Sequence, residues 1–141
     1  MKRYLWVVVM SSLVALPAAS VWLLWAEPAQ WIMTERGLMM TQELAAGQFD
    51  VVAKFTMIGL VSGLMIGLVV AFALRPATWR NVPVALGSAT LAAGLCWLLG
   101  RVLGPSDPSA ANGVPVGELV STQFAVDTWP AFLAWPLMSL F

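Results

Sequence analysis

The chain has 141 residues, 60% hydrophobic and 10% charged, with a mean hydropathy of +0.85. Soluble domains run near ~25% charged and ~45–50% apolar, so the composition excludes a soluble domain and points to an all-α integral membrane protein. Seven basic residues balance seven acidic ones without a basic tract, which argues against a nucleic-acid partner, and with no histidine and only Cys96 the usual metal and haem ligands and any intrachain disulfide are missing.

Lys2 and Arg3 form a short basic head before an apolar run over residues 4–26. That length suits a first span, since ~20 residues cross ~30 Å of hydrocarbon. The small residues of LPAAS resemble a cleavage site, but VWLLW continues the apolar run past it, which favours an uncleaved helix. Pro17 inside this span is tolerated in lipid.

Residues 27–52 form a first connecting loop carrying Glu27, Glu35, Arg36, Glu43 and Asp50. Trp25 and Trp31, near its start, are expected to anchor at the headgroup level. WIMTERGLMMTQEL is compatible with an amphipathic surface helix or, through Gly37, with a small hairpin. Asp50 and Lys54 stand four apart and are placed to pair on one helix face. Lys54 is the one charge that reaches an apolar run, where the expected behaviour is snorkelling to the interface.

The second span covers residues 55–74. Gly59, Gly63 and Gly67 recur every fourth residue within it and so share one helix face. In lipid, bare faces of this kind let helix backbones approach closely, and such packing drives association. RPATWRNVP follows, a short turn with Arg75, Arg80 and a third expected anchor, Trp79. The third span covers residues 82–99. Its small residues, Gly87, Ser88, Ala92, Ala93 and Gly94, are expected to present a face to the glycine ladder. Packing between these two spans is favoured over an intermolecular role for the ladder.

Residues 104–127 form a second polar loop, rich in Pro, Gly, Ser, Asp and Asn, in which VGELVSTQFAV is compatible with a short extended stretch. Residues 128–141 are apolar, include the anchor Trp129, and cover about two-thirds of the hydrocarbon thickness. They suit a half helix or a fourth span cut short, and an apolar end with no following charge favours the second. The expected fold is one transmembrane domain over 1–141, an antiparallel helix bundle of three full spans and a partial fourth.

Lys2, Arg3, Arg75 and Arg80 fall on one side of this topology, and Arg36, Lys54 and Arg101 fall on the other together with every acidic residue. Short loops carry the positive-inside rule best, so the N-terminus is expected in the cytoplasm of a multi-pass plasma-membrane protein, with loops 27–52 and 104–127 outside.

LLGRVLGPSDPSAANGVPVGELV followed by WPAFLAWPLMSL, together with GQFDVVAKFTMIGLVSGLMIGLVVA, resembles an uncharacterised family of small four-helix membrane proteins from actinobacteria. The resemblance covers most of the chain from about Trp22 on. It implies an actinobacterial plasma membrane and a fold, and it carries over no catalytic residue.

The residues argue against an enzyme. Catalysis needs a nucleophile or an acid/base pair held in a site, and here the carboxylates are scattered over loops; Glu35 and Glu43, eight apart, could share a helix face, but an interfacial helix normally exposes such charges. Transporters place ionisable groups inside spans, and these spans carry none beyond Lys54. No catalytic, cofactor or metal residue is assigned. The expected role is a non-catalytic accessory subunit of a larger membrane complex, in contact with lipids, with a respiratory cytochrome bc–oxidase supercomplex as a suitable host. A homo-oligomeric transporter or channel component is the alternative.

Overall fold

The computed structural model describes residues 2–76, 78–110 and 113–141. Residues 2–25 contain no glycine, and α1 (Lys2–Trp25) runs through Pro17 without a break. Helix α2 (Gln42–Ala73) has 32 residues and begins well ahead of the apolar run. Its first turns, QELAAGQFD, are built largely of good helix formers, so helix formation starts before the polarity changes. After the turn through Arg75 and Trp79 comes α3 (Asn81–Leu103). Lys2–Trp25, Ala46–Ala73 and Asn81–Leu103 are each long and apolar enough to cross a membrane. Helix α4 (Trp129–Met138) has ten residues and spans ~15 Å, about half of a hydrocarbon core.

The loops depart from an all-α description. Strands β1 (Gln30–Thr34) and β2 (Gly37–Met39) form an antiparallel hairpin. Strand β3 (Leu119–Ser121) adds antiparallel to the other edge of β1, giving the order β2-β1-β3. The hairpin, not the amphipathic surface helix, is therefore what WIMTERGLMM forms. Glu35 and Arg36 turn with negative φ, and Gly37 follows at φ +113°, the positive angle needed to rejoin a strand after such a turn. Thr34 Oγ1 donates to the Gly37 carbonyl at 2.6 Å and fixes the corner. The β3 seam is closed by Met33 N–H to the Glu118 carbonyl at 3.0 Å and Thr122 N–H to the Ala29 carbonyl at 2.7 Å.

Helices α1 and α3 run side by side in the same direction, with Trp22 against Gly100 near their ends and Tyr4 sharing a cleft with Asn81 at their starts. Helix α1 packs most extensively on α3, and α2 packs most extensively on α4. Away from a few large buried side chains, Trp22, Phe55, Ile66 and Trp135, the buried faces of α1 and α3 are made mostly of small residues. Ser11, Ala15, Ala18 and Ala19 of α1 and Ala85, Ser88, Ala89, Ala92, Ala93 and Cys96 of α3 are buried, while Leu5, Leu13, Leu24, Met65, Phe72 and Leu98 face outward. That distribution suits helices packed by close contact in an apolar solvent, and water would drive the large side chains inward.

Candidate functional site

The glycine ladder does not meet α3. A Cβ built on Gly59 would stand 2.5 Å from Trp135 Cδ1 and Nε1. One on Gly63 would strike the Trp135 carbonyl oxygen and the Met138 Cβ, and one on Gly67 would stand 2.5 Å from the Ser139 carbonyl oxygen. The bare face of α2 is thus the bed of α4. The two helices run in the same direction along it, so α4 descends from the sheet end of the molecule to the level of Gly67. Trp135 is fully buried there, and Ser139 Oγ donates to the Pro136 carbonyl at 2.7 Å, occupying one of the orphan acceptors at the end of the short helix.

Gly87 and Gly94 correct the expected pairing of spans. Neither has an atom within 4 Å of its added Cβ, so both lie in open space. Together with Thr90, Leu91 and Leu98 they make the exposed face of α3. The sequence assigned these glycines to the ladder because they are small. The face of α3 that is buried carries Ala85, Ser88, Ala89, Ala92 and Ala93, and Gly100 receives the Trp22 ring. Smallness marks a position where close approach is allowed, and alanine and serine serve that purpose as well as glycine.

At the sheet end an aromatic chain joins the elements. Trp22 lies 4.9 Å from Phe55 and 5.2 Å from Phe124, centroid to centroid. Phe55 continues to Phe132 at 5.2 Å and to Trp135 at 5.7 Å. Phe132 reaches Trp97 at 6.3 Å. Tilted and edge-on pairs of this kind add to burial by ~0.5–1.5 kcal/mol each. Trp22 Nε1 donates to the Val51 carbonyl at 3.0 Å, so its one polar atom is satisfied. Sequence reasoning missed this cluster because its members lie in five separate segments.

Polar contacts then lock α1 to α2. Lys54 Nζ stands 2.8 Å from Asp50 Oδ2 and donates to the Trp25 carbonyl at 2.8 Å, and Asp50 Oδ2 accepts the Glu27 backbone N–H at 2.9 Å. The expected i,i+4 pair is present, and it has a structural duty: the ammonium occupies a carbonyl at the C-terminal end of α1, where positive charge is favoured. Lys54 also lies 5.4 Å from the Trp25 ring centroid.

Of the expected anchors, Trp25, Trp79 and Trp129 are exposed at helix ends. Trp31 differs: it sits in β1 opposite Val120, half-buried, and its Nε1 is buried without a partner among the described residues. Pairing in the sheet holds its N–H away from solvent, where a headgroup anchor would present it. Glu35 lies in the hairpin turn, and the side chain of Glu43 lies outside the described residues. Among the described residues no group of three or more Cys, Asp or Glu is placed to hold a metal ion. An apolar concavity of about 470 Å³ opens between α1 and α2, lined by Val14, Pro17, Ala18, Met57, Ile58 and Ser62, without a titratable group. At the opposite end from the sheet, Arg3, Arg75 and Arg80 converge on one cleft. No protein-family model, curated protein or solved structure matches this chain.

Proposed function

We propose that this chain is a non-catalytic accessory subunit of a larger membrane assembly, docked through the outward face of α3. The helices would stand as an antiparallel transmembrane bundle in the plasma membrane, the N-terminus cytoplasmic and the sheet outside. One observation carries the reading. Gly87 and Gly94 leave open space on an exposed helix face, while the glycine ladder of α2 is consumed inside the molecule. Glycine costs a helix about 1 kcal/mol relative to alanine, and at Gly87 and Gly94 no internal contact offsets that cost. A partner helix approaching closely between Leu91 and Leu98 would offset it. The charge segregation of the sequence supports the orientation, with all seven acidic residues at the sheet end. The actinobacterial resemblance supports a respiratory supercomplex as the host.

Purification of the full chain in a mild detergent tests this. The wild type is expected to bring a larger complex with it. Gly87→Leu with Gly94→Leu is expected to lose the complex and to keep its own melting temperature. A chain that elutes as a monomer in every mild detergent sinks the proposal, and one that elutes as a discrete homo-oligomer supports the pore reading instead.

A further inference from the structure

We infer that the cleft at the end of the molecule opposite the sheet binds the phosphate of an anionic phospholipid headgroup. The cleft has a volume of about 460 Å³ and brings together Arg3 and Tyr4 of α1, Arg75 and Thr78 of the α2–α3 turn, and Trp79 and Arg80 just before α3. Three arginines and Tyr4 line one space, with the Thr78 hydroxyl already donating to Asn81 Oδ1 at 3.5 Å, and the arginines are the donor type that matches phosphate oxygens, with no carboxylate among the lining residues.

No carboxylate answers those charges. Every acidic residue of the chain lies between Glu27 and Asp50 or between Asp107 and Asp127, in the segments at the sheet end. Among the described residues the one salt bridge is Lys54 with Asp50. Three like charges line one exposed cleft, and an anion entering it would reduce their mutual repulsion. Helix α3 adds to the same sign. Its 23 residues point their N-terminus at the cleft, and because Asn81 N–H and Val82 N–H already bond the Thr78 and Trp79 carbonyls, its contribution is the helix dipole. The opposing C-terminal end of α2 is muted, since Asn81 Nδ2 donates to the Leu74 carbonyl at 2.8 Å.

Position selects the source of the phosphate. The Arg75 guanidinium stands 4.9 Å from the ring centroid of Phe72, an outward-facing side chain one turn inside the apolar part of α2. Trp79 is 79% exposed beside it, as a ring at headgroup level would be. Leu5 and Trp6 continue outward from the cleft along α1 as exposed apolar surface on which acyl chains can lie. A lipid phosphate is therefore delivered to this height by the bilayer itself, and basic pockets between helix ends are suited to hold it. The inference rests on the membrane reading of the helices and is independent of the accessory role.

The test uses the full chain, lipid-depleted in detergent, with native mass spectrometry and a thermal melt as readouts. Phosphatidylglycerol, phosphatidylcholine and inorganic phosphate are titrated separately. The expected result is retention of phosphatidylglycerol about tenfold over phosphatidylcholine, with a raised melting temperature, and no comparable effect of inorganic phosphate at equal concentration. Arg3→Gln with Arg75→Gln and Arg80→Gln should abolish the preference, and Arg36→Gln with Arg101→Gln should preserve it. If the triple variant does not fold, Arg80→Gln alone should still lower retention severalfold, with Arg80→Lys closer to wild type. Equal retention of the two lipids by the wild type, or a preference untouched by the cleft variants, overturns the inference. Inorganic phosphate that stabilises as well as the lipid assigns the cleft to a soluble anion and overturns it too.

Discussion

The seam between α2 and α4 gives the sharpest prediction. Gly63→Ala adds one methyl group at the middle rung, against a backbone carbonyl that cannot rotate aside. At the neighbouring rungs the added carbon stands 2.5 Å from its nearest neighbour, where ordinary contact begins at 3.4 Å. Helix α4 must therefore retreat by about 1 Å, a gap that forfeits a quarter to a half of each van der Waals contact across the seam. A buried side chain the size of Trp135 makes tens of contacts at ~0.1–0.2 kcal/mol, so the loss is about 2–3 kcal/mol. The helix-propensity gain of alanine over glycine returns up to about 1 kcal/mol. The net destabilisation of about 1–2 kcal/mol should lower the melting temperature by roughly 4–8 °C. Gly63→Leu should cost more and is read by the same melt, followed through intrinsic tryptophan fluorescence in detergent. Gly87→Ala is the control, expected to be neutral or slightly stabilising because its Cβ meets nothing within 4 Å. Equal melting temperatures for Gly63→Ala and Gly87→Ala would refute the assignment of the ladder to α4.

Three further outcomes are expected. Ile32→Cys with Leu119→Cys, in a Cys96→Ser background, should form a disulfide under mild oxidation, because the flanking Met33–Glu118 bond makes 32 and 119 a non-hydrogen-bonded pair with close side chains; failure to cross-link, read as no mobility shift on non-reducing gels, would mean the two loops do not share a sheet. Lys54→Met should destabilise by about 1 kcal/mol, after allowance for the partial exposure of the pair, since the Trp25 carbonyl and Asp50 both lose their cation, and Lys54→Arg should recover part of the melting temperature. In the second loop, the Ser109 side-chain and backbone hydrogen bonds hold the Asp107 carboxyl below its ordinary value of 3.8. Its contribution is present above that value and is lost as the pH falls through the lowered one, so Ser109 amide exchange should accelerate only at acidic pH below about 3.8, relative to its neighbours.

Sequence alone determined the apolar stretches, the shortness of the last one, the Asp50–Lys54 pair and the confinement of the acidic residues to two segments. Each follows from local composition or from the fixed rise and pitch of a helix, which act within a few turns. Tertiary structure decided which partner each face received. Helical periodicity places Gly59, Gly63 and Gly67 on one side of α2, but nothing local says whether α3 or α4 fills that side, because both offer small or fitting surfaces. The buried faces of α1 and α3 are built largely of alanine and serine, whose smallness is less conspicuous than glycine's, whereas Gly87 and Gly94, the more conspicuous small residues of α3, lie outside. The sheet shows the same limit at longer range. Thr122 bonds to Ala29 across 93 residues of chain, a pairing that the hairpin residues permit and that only the positions of the helix ends bring about. The basic cleft follows suit: the positive-inside pattern assigns Arg3, Arg75 and Arg80 to one side, and the parallel course of α1 and α3 is what gathers them around one space.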